Sequence, residues 1–223
     1  MIAEPRRARR IERAVASACA VAPVAVIATI AVATRMTPGY SSVSDTLSQL
    51  AVAGRPHPEM IGGGLLVAGT MLLGFAWTLH RRIVDRPRAN RIGISIAVAG
   101  VAVAGAAIVR DDPNGPHGPA TIAGAIHGSL ASLAFLSLIL ALFTFARAAR
   151  AERGQRRLGD LSVRIGVACA IVGAIFEIQV VQQVEGLLQR IFIALFVVWM
   201  EVVIFRYLLR PSAGDERPRP LPG

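Results

Sequence analysis

Apolar residues run in long unbroken stretches along most of the chain, not in alternation. The stretches lie at roughly 14–34, 60–80, 92–109, 121–146, 161–181 and 187–208. Each approaches or exceeds the ~20 residues that a helix needs to cross a hydrocarbon layer of ~30 Å. A lipid interior offers the backbone no hydrogen bonds, so a single apolar segment crosses it only as a helix. The pattern predicts an all-α, polytopic membrane protein with six transmembrane helices. The transmembrane domain spans 14–208, after a basic N-terminal segment at 1–13. The tail at 209–223 is rich in proline and charge and is expected to be disordered. Small residues recur one turn apart in the second and third runs, at Gly64 and Ala68 and at Gly100 and Ala104. Such stripes let membrane helices approach closely.

Between the first two runs the pattern breaks into "YSSVSDTLSQLAVAGRPHPEM", residues 40–60. Ser42 and Asp45 have the spacing of a helix-start capping box. Val43, Leu47, Leu50 and Gly54 then repeat at helical spacing, with Ser41, Ser44, Asp45 and Ser48 on the other side. The segment reads as a short amphipathic helix lying at the membrane surface.

Composition sharpens this picture. The 223 residues are 54% hydrophobic but only 5% aromatic, and mean hydropathy is +0.56. The apolar mass is therefore aliphatic and small, which suits closely packed membrane helices. Cys19 and Cys169 both fall inside apolar runs. Two such cysteines make neither a disulfide framework nor a zinc site and read as packing residues.

Charge then orients the spans. All 24 basic residues are arginine, and the net charge is +10. They spread over loops instead of forming one patch, and no nucleic-acid partner is expected. Arginines concentrate at 6–13, 81–91, 147–157 and 206–219, whereas the alternate loops hold only Arg35 and Arg55, Arg110, and Arg190. The positive-inside rule predicts both termini in the cytoplasm and the 35–59, 110–120 and 182–187 loops outside. The expected location is a bacterial inner membrane. The arginine-rich start could also introduce a cleaved signal peptide, but its ~20-residue run exceeds a signal core and is expected to stay as the first span.

Candidate chemistry gathers on the predicted outer side. "RDDPNGPHGPATIAGAIHG", residues 110–128, supplies Asp111, Asp112, His117 and His127. "FEIQVVQQVEG", residues 176–186, supplies Glu177 and Glu185. Ionisable groups at membrane depth are costly and usually face partners or a cavity. Glu201 lies in the last span, with Arg206 expected as its partner. Three accounts of the outer layer stand side by side. It is structural packing, with the protein an accessory subunit of a larger membrane complex. It is a pocket for a lipid headgroup or another amphiphile. It is a hydrolase or transferase acting on a lipid, with His127, Asp45 and Glu177 as the catalytic candidates. The candidate ligand-binding residues are Ser44, Asp45, Ser48, His117, His127, Glu177, Gln189 and Arg190. No metal site and no cofactor are predicted, since neither HExxH, Walker, Rossmann nor haem patterns occur. Membrane lipid and other membrane subunits are the expected partners.

Taken together, the first loop, the "DDPNGPHGPATIAGAIHG" approach to the fourth span and "GLLQRIFIALFVVWMEVV" in the sixth resemble the bacterial and archaeal family called domain of unknown function 998. The resemblance covers about residues 15 to 210 and implies a six-helix membrane fold. It singles out the aspartate of "SDT", the histidine of "AIHG" and the Gln-Arg of "LLQRI", here Asp45, His127, Gln189 and Arg190. A looser likeness, through Ser44-Asp45-Thr46 and Pro58-Glu59, extends to Frag/DRAM/Sfk-like membrane proteins. Some of those act on lipids and lipid anchors, which implies lipid handling as the expected role.

Overall fold

A computed structural model describes residues 3–112, 121–178 and 182–209, with side chains from residue 7 onward. His117 and the tail from residue 210 lie outside the described residues. Among the described residues the structure is all-helical, without strands, and six helices are long and apolar enough to cross a membrane. They are α1 (Ala3–Met36), α2 (Pro58–Arg82), α3 (Arg86–Ile108), α4 (Ile122–Ala151), α5 (Arg156–Glu177) and α6 (Glu185–Val203). The chain is thus a multi-pass membrane protein. Several helices run past their apolar stretch by one to three turns, because a helix satisfies its backbone equally well in water.

Local signals set the helix starts. Pro58 opens α2, where its missing N–H costs nothing. Asp85 caps α3 by accepting from the Arg88 N–H, and Thr121 caps α4 by accepting from the Gly124 N–H at 3.0 Å. At its far end α6 widens into a π-helix over Ile204–Leu208, closed by the Leu209 N–H donating to the Ile204 carbonyl at 2.8 Å.

Trp199 of α6 is the hub of the bundle. Phe75 of α2 and Phe145 of α4 meet its ring edge-on, at centroid distances of 5.7 and 5.4 Å. Its indole N–H donates to Ser162 of α5 at 2.8 Å, which satisfies the one polar atom of a fully buried ring. Helices α2 and α3 touch through glycine. A Cβ on Gly69 would stand 2.7 Å from the Gly100 carbonyl oxygen, so only hydrogen fits there. Helix α1 lies at the periphery. Only 17% of its most apolar window is buried, against 28% for α2 and 39–44% for the rest.

The expected surface helix in the first loop reduces to one 3-10 turn, Ser48–Leu50, within a string of turns. The capping box forms one residue early. Ser41 Oγ accepts from the Ser44 N–H, and Asp45 Oδ2 accepts from the Ser41 N–H at 2.8 Å. The Asp45 N–H closes a single helical turn on the Ser41 carbonyl. A helix continued past that turn would also join the Val43 carbonyl to the Leu47 N–H. Both groups are taken by α6: Leu187 N–H donates to Val43 at 2.9 Å, and Leu47 N–H donates to Gln189 Oε1 at 2.6 Å.

Candidate functional site

Those two bonds belong to a clasp that fastens the first loop to the start of α6. Gly186 lets the two backbones meet, since a Cβ there would lie 2.8 Å from the Asp45 carbonyl carbon and closer still to its oxygen. One turn on, Arg190 spreads its guanidinium fork. Its Nη1 donates to the Asp45 and Gly186 carbonyls at 3.0 and 2.8 Å, and its Nη2 donates to the Tyr40 hydroxyl. The Tyr40 hydroxyl donates in turn toward the Asp45 and Thr46 carbonyls at 3.1 and 3.0 Å. The guanidinium also lies 5.6 Å from the Tyr40 ring centroid, within cation–π range. Burial pushes the Tyr40 phenol above its ordinary range, and Arg190 opposes only part of that. Tyr40 therefore stays a neutral donor. The Asp45 carboxylate itself remains within its own turn, with Oδ1 accepting from Ser44 Oγ at 3.1 Å. Arg190 thus holds carbonyl oxygens and a phenol instead of a carboxylate.

A second set of bonds ties the first loop to α3 and α4. Buried Thr46 and Ser48 share a hydrogen bond of 2.9 Å, and Ser48 Oγ donates to Asp111 Oδ2 at 2.7 Å. Asp111 Oδ1 accepts from the Asp112 N–H at 2.9 Å. The buried Asp112 carboxylate then accepts from the backbone N–H and hydroxyl of Thr121. Two acids of the predicted outer layer thus join the end of α3 to the start of α4.

The three catalytic candidates have separate partners. His127 is buried on α4, with Nδ1 at 2.7 Å from the Val109 carbonyl. That spacing requires Nδ1 to carry a proton, because a carbonyl oxygen only accepts. Glu177 is exposed and accepts from Ser132 Oγ at 2.8 and 2.9 Å. The Asp45 carboxylate is taken up by the Ser41 N–H and the Ser44 hydroxyl. Among the described residues no group of three His, Cys, Asp or Glu side chains could hold a metal. The structure brings Asp45, Ser44, Gln189 and Arg190 together and joins Ser48 to Asp111. Tyr40 and Gly186 complete the clasp and were not singled out by sequence. Their signal was weak: a tyrosine just after a Pro-Gly turn, and a glycine at the start of an apolar run.

Beside the clasp an apolar cleft of about 340 Å³ opens between α1 and α2, lined by Ala25, Val26, Thr29, Glu59, Met60, Gly63, Gly64 and Val67. Its glycine floor is open at Gly63, where a Cβ would meet nothing within 4 Å. Glu59 and His57 stand at its polar end, with His57 Nδ1 at 3.4 Å from Glu59 Oε1. Next to the lining residues, Leu50 and Ala51 of the first loop pack with Ala33 of α1 and Ile61 of α2. Thr29 turns its hydroxyl back onto the Ala25 carbonyl at 2.9 Å, which leaves the wall largely apolar.

The expected Glu201–Arg206 pair does not form. Five residues along a helix turn a side chain by about 140°, and Arg206 points to the exposed side. One Glu201 carboxyl oxygen is buried without a hydrogen-bond partner.

A family model described as a protein of unknown function, DUF998, matches residues 20–206. No curated protein and no solved structure matches the chain.

Proposed function

The chain belongs to the DUF998 family, and on that premise we propose that it binds a membrane amphiphile in the cleft between α1 and α2. The observation that carries this reading is the cleft itself. Its volume of about 340 Å³ falls in the range of small-molecule sites, about 300–1,000 Å³. Its walls suit an acyl chain, and an acid sits at one end. Glu59 favours a head that carries an amine or another hydrogen-bond donor, so the amphiphile is a zwitterionic lipid such as one with an ethanolamine head. The clasp built from Tyr40, Asp45, Gln189 and Arg190 fastens the first loop, whose Leu50 and Ala51 pack against α1 and α2. Ser44 and Ser48 line that loop, and His127 and Glu177 brace the neighbouring helices behind it.

The arginine distribution supports an orientation with both termini in the cytoplasm and the cleft's polar end outside. In that orientation the protein takes up a lipid from the outer leaflet of a bacterial inner membrane, a role in envelope lipid handling. Helices α3–α6 contribute none of the residues that line the cleft.

The test is native mass spectrometry of the purified chain with lipids retained. Phosphatidylethanolamine should co-purify with the wild type, be lost from Gly63→Leu, and be held less selectively by Glu59→Gln. Equal retention by wild type and Gly63→Leu would exclude the cleft as the seat.

A further inference from the structure

The opposite end of the bundle carries more arginines than its acids pair. Four acids with described side chains sit there, and each is already engaged. Glu12 pairs with Arg81 at 3.1 Å, and Asp85 pairs with Arg88. Asp160 pairs with Arg150 at 2.7 Å, and Glu152 accepts from the Tyr207 hydroxyl at 2.8 Å. Arg91 on α3, Arg147 on α4, Arg153 in the connecting turn, and Arg156 and Arg157 at the start of α5 are all exposed. None of these five makes an ion pair with a described residue. Helices α3, α4 and α5 are successive neighbours in the bundle, so the five form a band across adjoining helix ends. At the other end the arginine of the clasp, Arg190, is consumed by internal hydrogen bonds.

We propose that this arginine band binds anionic phospholipid headgroups. The helix ends that carry it emerge at the headgroup level, where phosphate is the nearest anion. A guanidinium offers a planar fork that pairs two phosphate oxygens at once. A single-sign band of this kind gathers acidic lipids around the protein, by electrostatics that extend about a Debye length, ~8 Å at physiological salt. The band lies at the far end of the helices from Glu59, and its preference for anionic heads is opposite to that of the cleft. The two proposals therefore succeed or fail separately.

The experiment titrates the full chain in detergent with phosphatidylglycerol and phosphatidylcholine of identical acyl chains, read by native mass spectrometry. Phosphatidylglycerol should bind in excess, and its excess should fall with added sodium chloride. Each arginine should contribute about fivefold, so R153Q/R156Q/R157Q should lower phosphatidylglycerol affinity on the order of a hundredfold and leave phosphatidylcholine unchanged. Gly63→Leu should not alter the phosphatidylglycerol preference. Equal binding of the two lipids overturns the proposal, as does an unchanged triple variant. Displacement of phosphatidylglycerol by millimolar inorganic phosphate would also overturn it, by assigning the band to free anions. Where the triple variant does not fold, R91Q and R147Q are read singly; about a fivefold loss in each supports the proposal, and no loss in either refutes it.

Discussion

Gly186→Ala places one methyl group where the first loop meets α6. Its Cβ would lie 2.8 Å from the Asp45 carbonyl carbon and 2.9 Å from Arg190 Nη1, with the Asp45 oxygen nearer than either. Backbone cannot give way as a side-chain tip can, so the loop must withdraw. Withdrawal stretches Leu187 N–H to Val43 O at 2.9 Å, Leu47 N–H to Gln189 at 2.6 Å and Arg190 to Asp45 O at 3.0 Å. Two neutral hydrogen bonds and one charged one contribute about 3–6 kcal/mol together. Alanine returns up to ~1 kcal/mol of helix propensity. The expected net loss is about 2–5 kcal/mol, a large part of the stability of an ordinary domain. Two readouts check it: thermal unfolding in detergent, and maleimide labelling of a Ser44→Cys reporter on the loop. The variant should melt earlier and label faster than its Gly186 parent. An unchanged melting temperature together with unchanged labelling would refute the clasp.

Three further outcomes follow from the geometry. Gly69→Leu should destabilise by more than ~1–3 kcal/mol, the usual cost of overpacking, because it forces α2 from α3, while Gly63→Leu should melt no earlier than wild type. Ser162→Ala strands the buried Trp199 N–H and should cost about 1–3 kcal/mol, seen in the same melting assay and as a shifted tryptophan emission. In a Tyr207→Phe background, near-ultraviolet titration should find the Tyr40 phenol ionising above the ordinary tyrosine range of about 10. The folded state then holds its proton longer than the unfolded one. Tyr40's contribution is complete below the ordinary value and is lost as pH rises through the higher folded value.

The six helices were legible because span length and apolar composition are local properties, fixed by the thickness of the lipid layer. The same holds for the close packing at Gly100, whereas the cap of α4 at Thr121 came only from the structure. The polar layer was legible in membership but not in pairing. Asp45 and Arg190 stood out, yet they are 145 residues apart, and nothing local states that the guanidinium takes the Asp45 carbonyl instead of its carboxylate. The first loop shows why periodicity misled. Its helical spacing is real, but the Val43 and Leu47 backbone groups find partners on α6, and tertiary hydrogen bonds replace the local ones. The cleft left no signature beyond Gly63 and Gly64, because a groove between two helices depends on how far apart they sit. Its position on the loosely packed α1 also follows from packing, which hydropathy does not encode.

Photo-crosslinking places the lipid most directly. A phosphatidylethanolamine with a diazirine on its acyl chain is incorporated with the purified protein, irradiated, and the adducts are mapped by peptide sequencing. Binding in the cleft predicts adducts concentrated on Val26, Met60 and Val67 and lost in Gly63→Leu. Adducts spread evenly over the exposed apolar residues of all six helices, unchanged by that substitution, would contradict it.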